Sequence, residues 1–188
     1  MNFANKISTF RILSVPFFIA SLIYYYRDPQ KDCLRYLALG IITLGVASDA
    51  IDGYIARKSR QHSKAGLILD PLGDKLLLIS AFICLYFFPS EIKFPLWVTL
   101  VVISRDAIIL LGAFIIFMLK QNIAITPTKW GKFTTIFQMA SVIAVLIQLN
   151  LAYILMSLAV LFTIISGIDY IGRGFKILYA PDNSRNNH

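Results

Sequence analysis

Acidic side chains are scarce in this sequence: ten Asp and Glu stand against eighteen Lys and Arg, for a formal charge of +8. Such a surplus can mark a nucleic-acid binder, but the basic residues fall between apolar runs in a pattern that reads as topology, and no nucleic-acid partner is expected. Cysteine is nearly absent. Cys33 and Cys84 have no metal-type spacing, and in apolar surroundings they are expected to pack rather than bridge. Histidine occurs only as His62, between apolar runs, and His188, so no activated Ser, Cys or His nucleophile is evident. Low-complexity tracts and internal repeats are missing too. No polar stretch is long enough to make a soluble domain.

What fills the chain is apolar. It is 57% hydrophobic with a mean hydropathy of +0.70, beyond the range of an ordinary soluble domain. A bilayer core about 30 Å thick takes about 20 apolar residues per helix. Runs of that size predict an all-α integral membrane fold with six transmembrane helices, over 8–26, 34–56, 66–88, 95–118, 133–149 and 152–171. Arg27-Asp28-Pro29, Pro89-Ser90-Glu91 and Pro127 supply breaks between them. The first run has the basic start of a signal peptide but no small-residue cleavage site before Arg27, so it is expected to stay as the first helix.

Charge asymmetry sets the expected orientation. Lys6, Arg57, Lys58, Arg60, Lys64, Lys120, Lys129, Lys132, Arg173, Lys176 and Arg185 lie at the N-terminus, the even loops and the tail, whereas only Arg27, Lys31, Arg35 and Lys93 flank the odd loops. The positive-inside bias therefore puts both termini and the loop after the second span in the cytoplasm. The expected organisation is one membrane domain over 1–180 with a polar tail over 181–188.

Against this background four acids are out of place. Asp49, Asp52, Asp70 and Asp74 fall within the second and third apolar runs. An ionised Asp deep in a bilayer costs about 2.5–3.5 kcal/mol, so four oppose insertion by about 10 kcal/mol unless paired, hydrated or metal-bound. Spacings of three and four residues put each pair on one helix face. Two antiparallel helices joined by a short loop can then point all four carboxylates into one cavity near the cytoplasmic interface. Hard oxygen donors of this kind suit Mg²⁺, Mn²⁺ or Ca²⁺, and Mg²⁺ typically binds a few carboxylates together with substrate phosphates. Gly53 and Gly66 beside them fit either close approach of a ligand or plain helix packing. Arg57, one turn from Gly53, is placed to contact an anionic diphosphate.

The segment SDAIDGYIARKSRQHSKAGLILDPLGDK resembles the signature of the CDP-alcohol phosphatidyltransferase family, D-x-x-D-G-x-x-A-R followed by G-x-x-x-D-x-x-x-D. Asp49, Asp52, Gly53, Ala56, Arg57, Gly66, Asp70 and Asp74 fill every fixed position. Asn5, Lys6, Ile7, Ser8, Arg11 and Ile12 are similar to the family's N-terminal N-K-I-T-x-x-R-I pattern, with Ser8 in the Thr position, and Pro16 adds a further likeness. The resemblance implies that Asp49, Asp52, Asp70 and Asp74 hold divalent metal, two ions of Mg²⁺ or Mn²⁺, and that Asp74 is also the general base. Gly53, Ala56, Arg57 and Gly66 would line the CDP-lipid. It further implies transfer of a phosphatidyl group from CDP-diacylglycerol to an alcohol with release of CMP, in a homodimer embedded in membrane lipids. A bacterial inner membrane, with the active site facing the cytoplasm, is the expected location.

The acceptor alcohol must be read outside that signature. Arg105 and Asp106 lie in the fourth span, and Lys129 and Lys132 at the start of the fifth. Arg105 either serves an acceptor phosphate or pairs with Asp106 or a signature carboxylate to hold helices together. ISRDA and GKFTT resemble segments of the family's phosphatidylglycerophosphate synthases, although Ala113 and Thr134 replace a second Arg and a second Lys of that pattern. Glycerol 3-phosphate is therefore the expected acceptor, held by Arg105 and Lys132. The S-R-D form also resembles cardiolipin synthases of the same family, which use phosphatidylglycerol. Asp169 and Arg173, four apart, fit a helix ion pair or a cavity border. An ion-coupled transporter is the alternative from a different class, but the acids cluster near one face and no inverted repeat is evident.

Overall fold

The structure is a computed structural model that describes the backbone of residues 3–58, 66–88, 90–119 and 129–179. Among these residues there are six helices and no strand: α1 Phe3–Arg27, α2 Asp32–Lys58, α3 Gly66–Tyr86, α4 Leu96–Leu119, α5 Lys129–Ile147 and α6 Ala152–Tyr179. Each contains most of one apolar run. Several helices overrun their apolar stretch, because backbone hydrogen bonding continues wherever polar side chains can reach water or one another. In α6 the Arg173 Nε donates to Asp169 Oδ1 at 3.1 Å, supporting a helix that passes the expected end at 171. The tail over 181–188 lies outside the described residues.

Helix α1 packs against both α2 and α3, α6 against α4 and α5, and α5 also touches α2 and α3. Phe18, Phe82, Leu85, Phe94, Val98, Val142 and Leu146 fill the fully buried core. Dispersion and close packing, more than expulsion of water, hold such an assembly in lipid.

The distribution of polarity is inverted relative to a water-soluble bundle. Along α6 the outward stripe is Leu161, Ile164, Ile168 and Ile171, while Thr163 and Ser166 face inward and are essentially buried. Gln138 and Thr163 hydrogen-bond between α5 and α6 at 3.1 Å. Phe162 stacks on Trp130, Phe133 and Phe137 of α5. Exposed hydroxyls are capped by their own helix: Thr43, Ser104 and Ser157 donate to carbonyls four residues back at 2.9, 2.6 and 2.9 Å. A polar seam inside and an apolar skin outside require an apolar solvent. Helices α5 and α6, the latter over 152–174, are each long and apolar enough to cross a bilayer.

The two connections described in full are tightly tied. Between α1 and α2, Lys31 pairs with Asp28 at 3.0 Å and Arg35 with Asp32 at 3.3 Å, so these cations have local counter-charges. Gln148 ends α5 with φ of 62°, and its carboxamide bridges the segment before α4: Nε2 donates to Ile92 O at 2.9 Å and Ile92 N donates to Oε1 at 3.2 Å. Cys33 and Cys84 are both free thiols.

Candidate active site

Helix α2 carries Asp49, Asp52, Gly53, Ala56 and Arg57, and α3 opens on Gly66 and carries Asp70 and Asp74. The side chains of these eight lie outside those described, so their placement is one of helical register. Gly45 marks where α2 and α3 meet, because a methyl group there would sit 2.9 Å from Leu77 Cδ2. Beyond that contact α2 runs about 20 Å to Lys58, and α3 starts about 17 Å before Leu77, at about 1.5 Å per residue. Were the two helices parallel, the ends to be joined would lie about 36 Å apart, more than the roughly 29 Å that the chain from 58 to 66 spans when fully extended. A parallel arrangement is therefore excluded, and α3 turns back from the end of α2.

Register then fixes depth. Position 49 lies about 6 Å past Gly45 and position 74 about 4.5 Å past Leu77 in the same direction, while positions 52 and 70 both follow at about 10.5 Å. For an antiparallel pair the acid positions thus fall at similar distances from that contact, although among the described residues α2 and α3 touch only lightly and each packs mainly on α1. A larger opening of about 670 Å³ lies at the other end of the bundle, lined by Arg35, Phe88, Ser90, Glu91, Lys93 and Gln148. It is well away from the acids.

Immediately beside Asp74 the described side chains begin with a buried ionic cluster. Lys75 Nζ and Arg105 Nη1 both lie 2.7 Å from Asp106 Oδ1, and Arg105 Nη2 also donates to the Ser166 hydroxyl. Asp106 is fully buried and Arg105 nearly so. The cluster ties α3, α4 and α6 together one residue from the acid layer. Gly167 faces the Arg105 stem, where an added methyl would make ordinary contact with Cγ at 3.5 Å. Tyr170 packs on Gly112 and donates to Ile109 O at 3.0 Å, closing the same face of α4 on α6.

Of the two residues expected at the acceptor, Arg105 is thus paired with Asp106, as one reading of the sequence has it, and Lys132 is exposed in the first turn of α5. Thr134, at the position where the resemblance leads one to expect a second Lys, is fully buried, its hydroxyl 2.9 Å from both Trp130 O and Phe162 O. That position is a buried contact between α5 and α6. Asp169 and Arg173 form the helix pair. Lys75 was not singled out by sequence reasoning; the one available signal was its place next to Asp74 in an otherwise apolar run.

Comparison with known proteins identifies the family. The profile of the CDP-alcohol phosphatidyltransferase family matches residues 1–165. The chain is 31% identical over 188 residues to the "CDP-diacylglycerol--glycerol-3-phosphate 3-phosphatidyltransferase" of Aquifex aeolicus (strain VF5), covering 95% of this chain and 99% of the relative. It is 30% identical over 194 residues to the protein of the same name from Bacillus subtilis (strain 168), covering 94% and 97%. A "Cardiolipin synthase (CMP-forming)" of Streptomyces coelicolor is 36% identical over 107 residues, 56% of this chain and 47% of that one. With a profile match over most of its length and near-complete alignment to transferases, the chain belongs to the CDP-alcohol phosphatidyltransferase family.

Proposed function

We propose that the protein transfers the phosphatidyl group of CDP-diacylglycerol to glycerol 3-phosphate and releases CMP. What supports this reading is the register of Asp49 and Asp52 on α2 and of Asp70 and Asp74 on α3, which for an antiparallel pair lie at similar distances from the contact of Gly45 with Leu77. Two relatives aligned over nearly their whole length bear the name of this reaction.

Four carboxylates in two layers are a hard, anionic donor set that fits divalent cations of the Mg²⁺ or Mn²⁺ type, and two such ions would balance their charge. Asp49, Asp52, Asp70 and Asp74 would hold them. When bound, the cations neutralise the diphosphate and make CMP a better leaving group. Gly53, Ala56, Arg57 and Gly66 form the surface against the CDP moiety, with Arg57 offering a planar donor fork to phosphate. Asp74 accepts the proton from the acceptor hydroxyl as its oxygen bonds to the lipid-bearing phosphorus and the bond from that phosphorus to the CMP oxygen breaks. Direct displacement is preferred, in the absence of an evident protein nucleophile.

The Lys75–Asp106–Arg105 cluster supports an acceptor that carries its own phosphate. Two cations share one carboxylate, and Arg105 Nε has no hydrogen-bond partner among the described residues. This surplus positive charge beside Asp74, with Lys132 as a second point charge, suits glycerol 3-phosphate. The membrane frame of the proposal is six spans forming one domain over 1–180. Both termini and the acid layer lie on the cytoplasmic side of a bacterial inner membrane, and the enzyme is a homodimer.

Incubating the purified enzyme with CDP-diacylglycerol, Mg²⁺ and either glycerol 3-phosphate or phosphatidylglycerol, followed by mass spectrometry of the lipid product, tests the acceptor. Phosphatidylglycerophosphate is the expected product. Cardiolipin formation with no use of glycerol 3-phosphate would instead assign the acceptor to phosphatidylglycerol, whereas CMP release without Mg²⁺ or Mn²⁺ would remove the metal.

A further inference from the structure

Arg11 of α1 is a cation where an apolar side chain would be expected. It is 4% exposed and lines a cavity of about 10 Å³, room for no more than one water, together with Ile42, Gly45 and Val46 of α2, Leu77 and Leu78 of α3 and Met139 of α5. A guanidinium stays protonated in proteins, and an ionised group held away from water is tolerated only near compensating charge. The walls say where that charge is. Gly45 and Val46 precede Asp49 by four and three residues, and Leu77 and Leu78 follow Asp74 by three and four, so both walls share a helix face with a signature acid one turn away. Helix α5 contains no acid, Asp52 of α2 and Asp70 of α3 belong to the same signature one turn further on, and the one α2 acid outside the signature, Asp32, is more than three turns from Gly45 and pairs with Arg35.

We propose that Arg11 is a positioning residue of the transfer site, supplying a fixed positive charge at the floor of the helix faces that carry positions 49 and 74. The inference rests on the reading of the four aspartates as the cation site. Its charge holds the acidic faces together before cations arrive, and its planar donor fork orients the carboxylates for the reaction. Arg11 and a bound divalent cation then repel each other, so each weakens the other's hold on the acids. Such coupling is reciprocal.

The test is calorimetric titration of Mn²⁺ into detergent-purified wild type, Arg11→Gln and Arg11→Lys, with steady-state kinetics of each. Arg11→Gln is expected to bind Mn²⁺ on the order of tenfold more tightly, the scale of one unit charge removed at partly screened distance, and to gain more thermal stability from Mn²⁺ than wild type. Arg11→Lys, which keeps the charge but loses the fork, should bind Mn²⁺ within about threefold of wild type, yet show kcat at least about tenfold lower with both KM values nearly unchanged. Folded Arg11→Gln with wild-type Mn²⁺ affinity would overturn the proposal. If Arg11→Gln cannot be purified folded, Arg11→Lys decides alone, and wild-type kcat in that variant overturns it. Wild type that binds no Mn²⁺ would sink the aspartate reading itself, a different failure from unchanged affinity in the variant.

Discussion

Asp74→Asn is expected to lower kcat by about 10²–10⁴-fold, the range associated with loss of a general base, and further if cation binding is lost with it. The amide keeps the size and helical setting of the carboxylate but cannot take the acceptor's proton. Folding should survive, because one fewer charge in a crowded acid layer relieves repulsion and the Lys75 ion pair next to it is untouched. Release of CMP from CDP-diacylglycerol, measured alongside the chromatographic profile of the purified variant, separates loss of chemistry from loss of fold. Near wild-type turnover would remove Asp74 as the base.

Asp106→Asn is expected to act mainly on stability, with a loss of about 3–5 kcal/mol, the cost of breaking a buried ion pair by removing one partner. The carboxylate is fully buried, and a single oxygen accepts from Lys75 and Arg105 at 2.7 Å each. Replacing it leaves two cations facing a neutral amide inside the bundle. Thermal unfolding in detergent would show the shift. Adding Lys75→Met to Asp106→Asn should recover part of it by withdrawing one stranded charge, and Lys75→Met alone should cost less than Asp106→Asn, since Arg105 and Asp106 remain paired. An unaltered unfolding temperature in Asp106→Asn would mean that the cluster does not hold α3 to α4.

Much of the helical architecture is legible along the chain: α1 to α6 each cover most of one apolar run, several extending past it while α3 and α5 stop two residues short, and α5 and α6 are long and apolar enough to cross a bilayer. The acid pairs are equally legible, since three- and four-residue spacings translate directly into helix faces. The signature also fixes their order along two consecutive helices, and the short stretch between Lys58 and Gly66 excludes a parallel pair. Contacts that need a third helix are less readable. Pairing of Arg105 with Asp106 is foreseeable from their adjacency, but Lys75 reaching the same oxygen, and Ser166 joining from α6, depend on how three helices meet. The burial of Arg11 is of the same kind: its position matches a family pattern, yet nothing local says that it sits among α2, α3 and α5. Thr134 shows the reverse case, where a missing charge is explained only by the neighbouring carbonyl of Phe162.

The account stands on α2 and α3 sharing one cation site between their acids. Mn²⁺ EPR on the purified protein and on Asp49→Asn, Asp70→Asn and the double variant reads that directly. Each single substitution should weaken Mn²⁺ binding strongly, and the double variant should lose much less than the sum of the two. Full Mn²⁺ affinity after substitution on either helix, or strictly additive losses, would contradict a common site.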